Sequence, residues 1–499
     1  MLKNINIIFP SLLSLINLIS FSLALENQYK KYTENLPFDM PEVTPPIFPD
    51  LTINIKDFGG IGDGKTLCTS SFINAINFLS EKGGGKLIIP PGIFFTGPIV
   101  LKSNINLHLE YGAIILFSGD DDLYPIIKTS YEGLETIRCQ SPLSAINETN
   151  IAITGNGVID GNGNFWRGVY KSSLTDSQWK EVISRPNGLV VSGNYWVPSE
   201  GYIIAEQRGR EGSPITEIED MEELKKYKRF LRPVMASLRN CKNILLQGVL
   251  FQNSPAWNLH PLMCENIIVD NIFVKNPSYA HNGDAIDLES CKNALIVNSK
   301  FDAGDDGICI KSGKDKDGRK RGKPCENVVV DGCTVFSGHG GFVVGSEMSG
   351  NVRNIKVNNC QFLGTDNGLR FKSTRGRGGV VENIYIENIT MKDIIKDAIT
   401  FNLYYFSNSA IQITDEDYQK INIVTNMKVD ETTPIFRNIH IKNITCDGAN
   451  RAMEFTGLPE MPINGILLQN INIIANNKPE FTDVKNIIQE NVNITIIKK

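Results

Sequence analysis

The ten cysteines of this 499-residue chain include no C-x-x-C pair, and no Cys/His cluster has the spacing of a zinc site. A zinc module is thereby excluded, and the reading calls for no metal and no cofactor. After the N-terminus no segment is long and apolar enough to span a bilayer. Excess positive charge is also missing: the net charge of -5 gives no global field for nucleic acid, so neither a nucleic-acid nor a membrane partner is expected. What remains, at 41% hydrophobic content with 43 glycines, is a folded protein with a substantial core.

The opening "MLKNINIIFPSLLSLINLISFSLALENQ" places Lys3 before an apolar stretch from about Leu12 to Leu23, with Ser22 and Ala24 at the -3 and -1 positions of a cleavage site. It reads as a signal peptide over residues 1–24. Pro10, Ser14, Asn17 and Ser20 make it a poor membrane anchor. Secretion to the extracellular space follows, and it makes the sequons at Asn147, Asn388, Asn443 and Asn493 candidate glycan sites. Residues 25–50 read as an N-terminal extension, and 51–499 as one domain and a monomer.

One pattern recurs in that domain: "NILLQGVLF" from Asn243, "NIIVDNIFV" from Asn266, "NALIVNSKF" from Asn293, "NVVVDGCTV" from Asn327, "NIKVNNCQF" from Asn354 and "NIYIENITM" from Asn383, with "NIHIKNITC" from Asn438. The first six starts lie 23, 27, 34, 27 and 29 residues apart, the length of one solenoid turn. Cys241, Cys264, Cys291 and Cys325 each stand two places before such an asparagine, as stacked small buried side chains would. This favours packing over a disulfide framework. The asparagines suit a left-handed turn in which stacked amides bond to one another. A leucine-rich repeat also uses Asn or Cys, but here Ile and Val dominate and no helix recurs between units. The expected fold is all-β, a right-handed parallel β-helix.

Two segments depart from the repeat. Leu51 to Glu81 reads as a strand, a Gly-rich loop and a short amphipathic helix capping the solenoid's N-terminal end. An insertion at about 166–235 holds Trp166, Trp179 and Trp196 and a predicted helix from Thr216 to Arg229, with acids early and bases late. The tryptophans suit either stacking on a sugar or anchoring the insertion.

Within the repeats, "AGDDGICIKSG" sets Asp305 beside Asp306 in a run that otherwise reads as a strand. Alternation would bury one of them, so Gly304 and Gly307 are expected to break the register and turn both to one cleft. Asp284 precedes Asp305 by about one coil, His339 in "SGHGGF" follows one coil later, and Arg370 and Lys372 in "GLRFKSTRGRGG" one coil later again. Residues one coil apart project side by side, which makes these segments one stripe with carboxylates, a histidine and cations, the equipment for hydrolysing a glycosidic bond in an acidic sugar. The basic loop from Lys314 to Lys323 reads as a solvated turn rather than a subsite.

From Leu51 onward the chain resembles the polygalacturonase-like glycoside hydrolases, glycoside hydrolase family 28 of the pectin-degrading β-helix class. Four motifs carry the resemblance: Asn282-Gly283-Asp284, Gly304-Asp305-Asp306, Gly338-His339-Gly340 and Arg370-Phe371-Lys372. Gly283 and Phe371 depart from the commoner residues without removing a reacting group. The resemblance implies Asp305 as general acid, Asp284 and Asp306 activating water for an inverting displacement, and His339 tuning the acid. It further implies Arg370 and Lys372, with Asn282, binding a uronate of polygalacturonate or pectin. Asp287 is a rival for the first carboxylate. The segment "NYWVPSEGYIIAEQRGREGSP" is similar to one in exo-acting relatives, which implies cleavage from the non-reducing end with the insertion walling off the cleft. Alternatives are a rhamnogalacturonan or xylogalacturonan hydrolase, a calcium-dependent lyase using a lysine or arginine base, and a binding solenoid without catalysis.

Overall fold

The computed structural model describes residues 28–208, 215, 217–405 and 427–497. The predicted signal peptide lies outside the described residues. Among them, no helix is long and apolar enough to cross a membrane.

Each repeat unit forms a strand, a turn and a second strand, as in Lys242–Gln247 with Leu250–Gln252 and Glu265–Asp270 with Phe273–Lys275. A third short strand precedes each asparagine, as in Ala236–Arg239, Leu259–Leu262 and Ile286–Glu289. Equivalent strands of successive coils pair in parallel; Ile244, Ile267, Ala294, Val328, Ile355 and Ile384 are consecutive partners. The result is a right-handed parallel β-helix with three sheet faces around one apolar core. Behind the third-strand sheet the core holds stacked rings, with Phe371 and Phe401 parallel at 4.2 Å between centroids.

The asparagines adopt the left-handed conformation, with φ of 56° at Asn243 and 58° at Asn266. Their amides form an unbroken ladder in which each side chain donates to the one before it, from Asn150 on Asn104 through to Asn438 on Asn383. All ten cysteines are buried free thiols. In the predicted column the backbone N–H of Cys241 meets Sγ of Cys264, and that of Cys264 meets Sγ of Cys291, both at 3.4 Å.

The N-terminal end is covered by the helix Thr69–Glu81, which buries Phe72, Ala75, Ile76 and Leu79. Residues 28–50 run along the outside of the solenoid, where Tyr29 is buried and donates to Asp270 at 2.8 Å. The insertion folds on itself. It has a three-stranded antiparallel sheet, Val169–Tyr170, Leu189–Val191 and Tyr195–Val197, with helices Asp176–Ile183, Glu200–Arg208 and Met221–Lys225. The helix predicted over 216–229 is therefore shorter: Asp220 accepts from the Glu222 N–H and starts it there, and after Lys225 the chain turns to bury Tyr227 and Leu231. Thr216 itself lies outside the described residues. Trp166, Trp179 and Trp196 are all buried, packed within the insertion and its base.

Candidate active site

The neighbouring aspartates are resolved by a break in alternation. Ile308 and Ile310 of the strand Asp306–Lys311 point into the core, which by parity would send Asp306 inward too. Its carboxylate instead lies beside outward-facing Cys309, with Sγ at 3.9 Å, and accepts from Lys372 Nζ at 2.7 Å and Arg370 at 3.1 Å. Gly307 sits at the break, where a Cβ would come within 2.7 Å of Val335. Asp305 precedes the strand and meets His339, Nδ1 to Oδ1 at 2.8 Å. The loop holding His339 is fixed by its own N–H donating to the Asp305 carbonyl at 2.7 Å.

Asp284 joins the pair from the coil before. One carboxylate oxygen from each of Asp284, Asp305 and Asp306 lies within 4.8 Å of the others, a set that is also able to ligate a cation. Access differs sharply: Asp305 keeps 20% of its side chain exposed, against 1% for Asp306. Asp284 is buried, and its Oδ1 has no hydrogen-bond partner. Asn282, in the left-handed region at φ 53°, accepts from the Arg232 guanidinium at 2.9 Å. Tyr405 lies over both cations, 5.4 Å from Arg370 and 4.9 Å from Lys372.

These surroundings sort the protons. Burial, then the charges of Asp287 and Asp305, push the Asp284 carboxyl well above its usual range. For Asp305 burial works the same way, but the His339 hydrogen bond and charge, with Lys372 and Arg370, outweigh it and hold the group below the usual range. Lys372 and Arg370 likewise overcome burial at Asp306 and keep it ionised. The bond to Asp305 raises His339 against its own burial. In this arrangement Asp284 and His339 are the groups that hold protons more readily, while Asp305 and Asp306 are kept as anions.

Asp287, the rival carboxylate, is fully buried three residues on from Asp284 in the same coil, 3.5 Å from Lys311 and without a hydrogen bond on either oxygen. Burial pushes it well above its usual range too, against the pull of Lys311. Lys311 itself pairs with Glu347 at 2.8 Å. The basic loop is not a solvated turn. Asp315–Arg321 is a helix, Arg321 reaches down to buried Glu289, and Arg319 donates to the carbonyls of Gly376 and Arg377. A buried carboxylate needs a counter-ion, and this loop supplies it. Only Lys316, Lys320 and Lys323 of its lysines face water.

The sequence thus placed Asp284, Asp305, Asp306, His339, Arg370 and Lys372 together, and the structure brings all six to one surface. Asn282 stands at its edge. Arg232 was missed because it belongs to the insertion and has no periodic relation to Asn282. Tyr405 carried a usable signal, since it follows Lys372 by about one coil.

Known proteins resemble this chain over most of its length. The solved exopolygalacturonase of Thermotoga maritima superposes with a TM-score of 0.75 at 33% identity, covering 94% of this chain and 96% of that one. A probable polygalacturonase of Vitis vinifera is 29% identical over 84% of this chain and 74% of its own length. The exo-poly-alpha-D-galacturonosidase of Dickeya chrysanthemi is 29% identical over 81% of this chain, which spans 64% of that protein. Residues 219–493, more than half of the chain and all of the stripe, match the glycosyl hydrolases family 28, and the chain belongs to that family.

Proposed function

We propose that this protein is a secreted polygalacturonase that hydrolyses α-1,4-galacturonosyl linkages from the non-reducing end of polygalacturonate. The observation that carries the reading is one accessible carboxylate, Asp305, bonded to a histidine and set beside two cations, partly exposed Arg370 and buried Lys372. Similarity to proteins named as polygalacturonases and exopolygalacturonases supports it.

Asp305 and His339 share one proton across a 2.8 Å bond. A uronate carboxylate arriving at Arg370 and Lys372, each of which has donors left beyond those on Asp306, adds negative charge next to Asp305 and raises its proton affinity. The proton then moves from Nδ1 to Asp305 and on to the leaving oxygen. A water between Asp284 and Asp306 accepts a hydrogen bond from the protonated first and gives its proton to the ionised second as it attacks the anomeric carbon. His339 regains a proton from solvent, and the proton on Asp306 is released.

The carboxylate spacing is nearer the roughly 5–5.5 Å of retaining glycosidases than the roughly 6.5–9.5 Å of inverting ones. Inversion is nonetheless the reading we adopt. Asp306 has both oxygens engaged by cations and Asp284 is protonated, so neither is prepared as a nucleophile. Elimination by a lysine or arginine base is disfavoured, because Asp306 overcomes burial and holds Lys372 and Arg370 protonated.

The deciding experiment is product analysis on defined oligogalacturonides. Saturated mono- or digalacturonate, released with inverted anomeric configuration in the first NMR spectra, supports the reading. Unsaturated products overturn it in favour of a lyase, a retained anomer overturns the stereochemistry, and preference for rhamnogalacturonan or xylogalacturonan replaces the substrate. N-terminal sequencing of exported protein tests cleavage after Ala24.

A further inference from the structure

Among the described residues, the outward face of the site sheet is more closed on one side than on the other. His260, Asp287 and Cys309, in consecutive coils up to the coil of Asp306, are at most 1% exposed. Beyond the site in the other direction the same row passes through Arg370, Thr400 and Glu454 to Glu480, whose side chain is 67% exposed. Among the described residues this row is closed toward the N-terminal coils and opens toward the C-terminal ones, from Thr400 at 5% through Glu454 at 24% exposed to Glu480, which leaves a polymer room on that side.

The cover is not the tryptophan-bearing part of the insertion, whose rings are buried in its own packing. It is an antiparallel hairpin, Ile126–Tyr131 with Leu134–Cys139, that leaves the solenoid well before the site. The Tyr131 ring packs on Trp257 at 4.8 Å between centroids, and the Arg138 guanidinium lies over it at 4.0 Å. The phenolic oxygen of Tyr131 is buried without a hydrogen-bond partner, and Asp284 is among the charges acting on it. At the hairpin tip, Gly133 takes φ 75° and its carbonyl accepts from the Lys314 N–H at 3.1 Å. Arg321 ties the hairpin to the floor. One arm meets Ser130 at 3.1 Å and Glu135 at 3.5 Å, while the other meets Glu289, which also accepts from His260 at 2.8 Å.

We propose that the hairpin 126–139 is the end wall that sets product size, with buried Tyr131 the residue that seats the wall on Trp257. Arg321 is the positioning residue that latches the wall to the sheet. The segment of the insertion just before Arg232 braces this wall, the Leu231 carbonyl accepting from the Cys139 N–H at 3.0 Å and the Phe230 carbonyl from the Arg138 guanidinium at 3.4 Å. The proposal rests on the end-acting reading above and assigns that property to residues.

The test compares early products and viscosity loss on polygalacturonate for the wild type, Tyr131→Ala, Gly133→Val and Arg321→Lys. A Cβ at 133 would come within 2.6 Å of the Lys314 nitrogen, so valine must part the tip from its seat without touching the catalytic groups. Lysine at 321 keeps a charge for Glu289 but cannot also reach Ser130 and Glu135 as a fork. The expected result is a shift from one short product to a mixture of oligomers, with viscosity falling faster per bond cleaved. Folded variants that keep the wild-type product pattern overturn the proposal. If Gly133→Val does not fold, the other two decide alone, since a purely structural role for Arg321 would lower the rate without changing product length. A wild type that itself releases mixed oligomers overturns the end-acting reading, an outcome visible before any variant is made.

Discussion

Two columns of side chains climb this solenoid at the same spacing and have opposite chemistry. The asparagine column repeats one residue, whose amide both donates and accepts, so every interior rung satisfies its neighbours with no net charge. The catalytic column repeats nothing: Asp284 and Asp306 occupy successive levels and Arg370 with Lys372 the level two beyond, past the coil of His339, and each depends on an unlike neighbour for its charge state. Stacking therefore gives register to both columns, but only the uniform one is self-sufficient. The functional column is a set of mutual obligations, and changes there should be large and coupled where those in the ladder are small and local.

The largest effect is expected at Asp305. Asp305→Asn keeps the shape but removes the transferable proton, so kcat should fall about 10²–10⁴-fold with the fold intact. The same change frees His339 from the bond that raises it, so its imidazole should titrate at lower pH, readable by NMR. In the wild type, activity should be lost as pH rises through the elevated His339 value, because the Asp305–His339 pair then has no proton to pass on. A basic limb unchanged in His339→Asn would break this link between the two residues.

Next is Lys372→Met, which leaves buried Asp306 with one cation in place of two. We expect a steep loss in kcat/KM on polygalacturonate and about 3–5 kcal/mol of lost stability in chemical denaturation. Adding Asp306→Asn should restore much of the stability and none of the activity. Additive losses in the double variant would show that the column is not coupled.

How much of this was legible depended on periodicity. The β-helix, the cysteine column and the six clustered site residues all lie at coil spacing, so one chain read against itself revealed them. The hairpin, the Arg321–Glu289 latch and the Arg232–Asn282 bond join segments with no periodic relation, and nothing in the sequence aligns them. Proton placement was also hidden. Burial raises the Asp284 carboxyl, and the His339 bond with the nearby cations keeps Asp305 ionised, neither of which spacing along the chain reveals. The short helix of the insertion shows the same limit, for a favourable charge pattern over 216–229 yielded to the cap at Asp220.

A smaller effect of opposite sign is expected at Asp287, whose folded-state carboxyl is raised by burial. Such a group favours the fold below its unfolded value, near 3.9, and its contribution is lost as pH rises toward the folded one. Asp287→Asn removes that dependence. Its thermal midpoint should exceed the wild type by a few degrees at pH 7, with the gain vanishing near pH 4. A gain independent of pH would assign the effect to packing.

The smallest effect tests the uniform column. Asn354 donates to Asn327 and accepts from Asn383, whereas Asn438 donates to Asn383 and ends the ladder, since Gly465 stands near it in the following coil. Beyond the ladder, Asn438 has one solvent-exposed bond, Oδ1 to His440 Nε2 at 2.9 Å. Both asparagines hold a left-handed φ, of 58° and 52°, so glycine replaces each without backbone strain and the comparison sets an interior rung against an exposed end. A net hydrogen bond in a protein contributes about 0.5–1.5 kcal/mol. Asn354→Gly should therefore cost about 1 kcal/mol more than Asn438→Gly in denaturant midpoints, and kcat should stay unchanged in both. Equal costs would mean that the rungs act through their backbone turns alone. A drop in kcat from the interior variant would mean that the ladder sets the spacing of the catalytic column across the core, coupling the two columns after all.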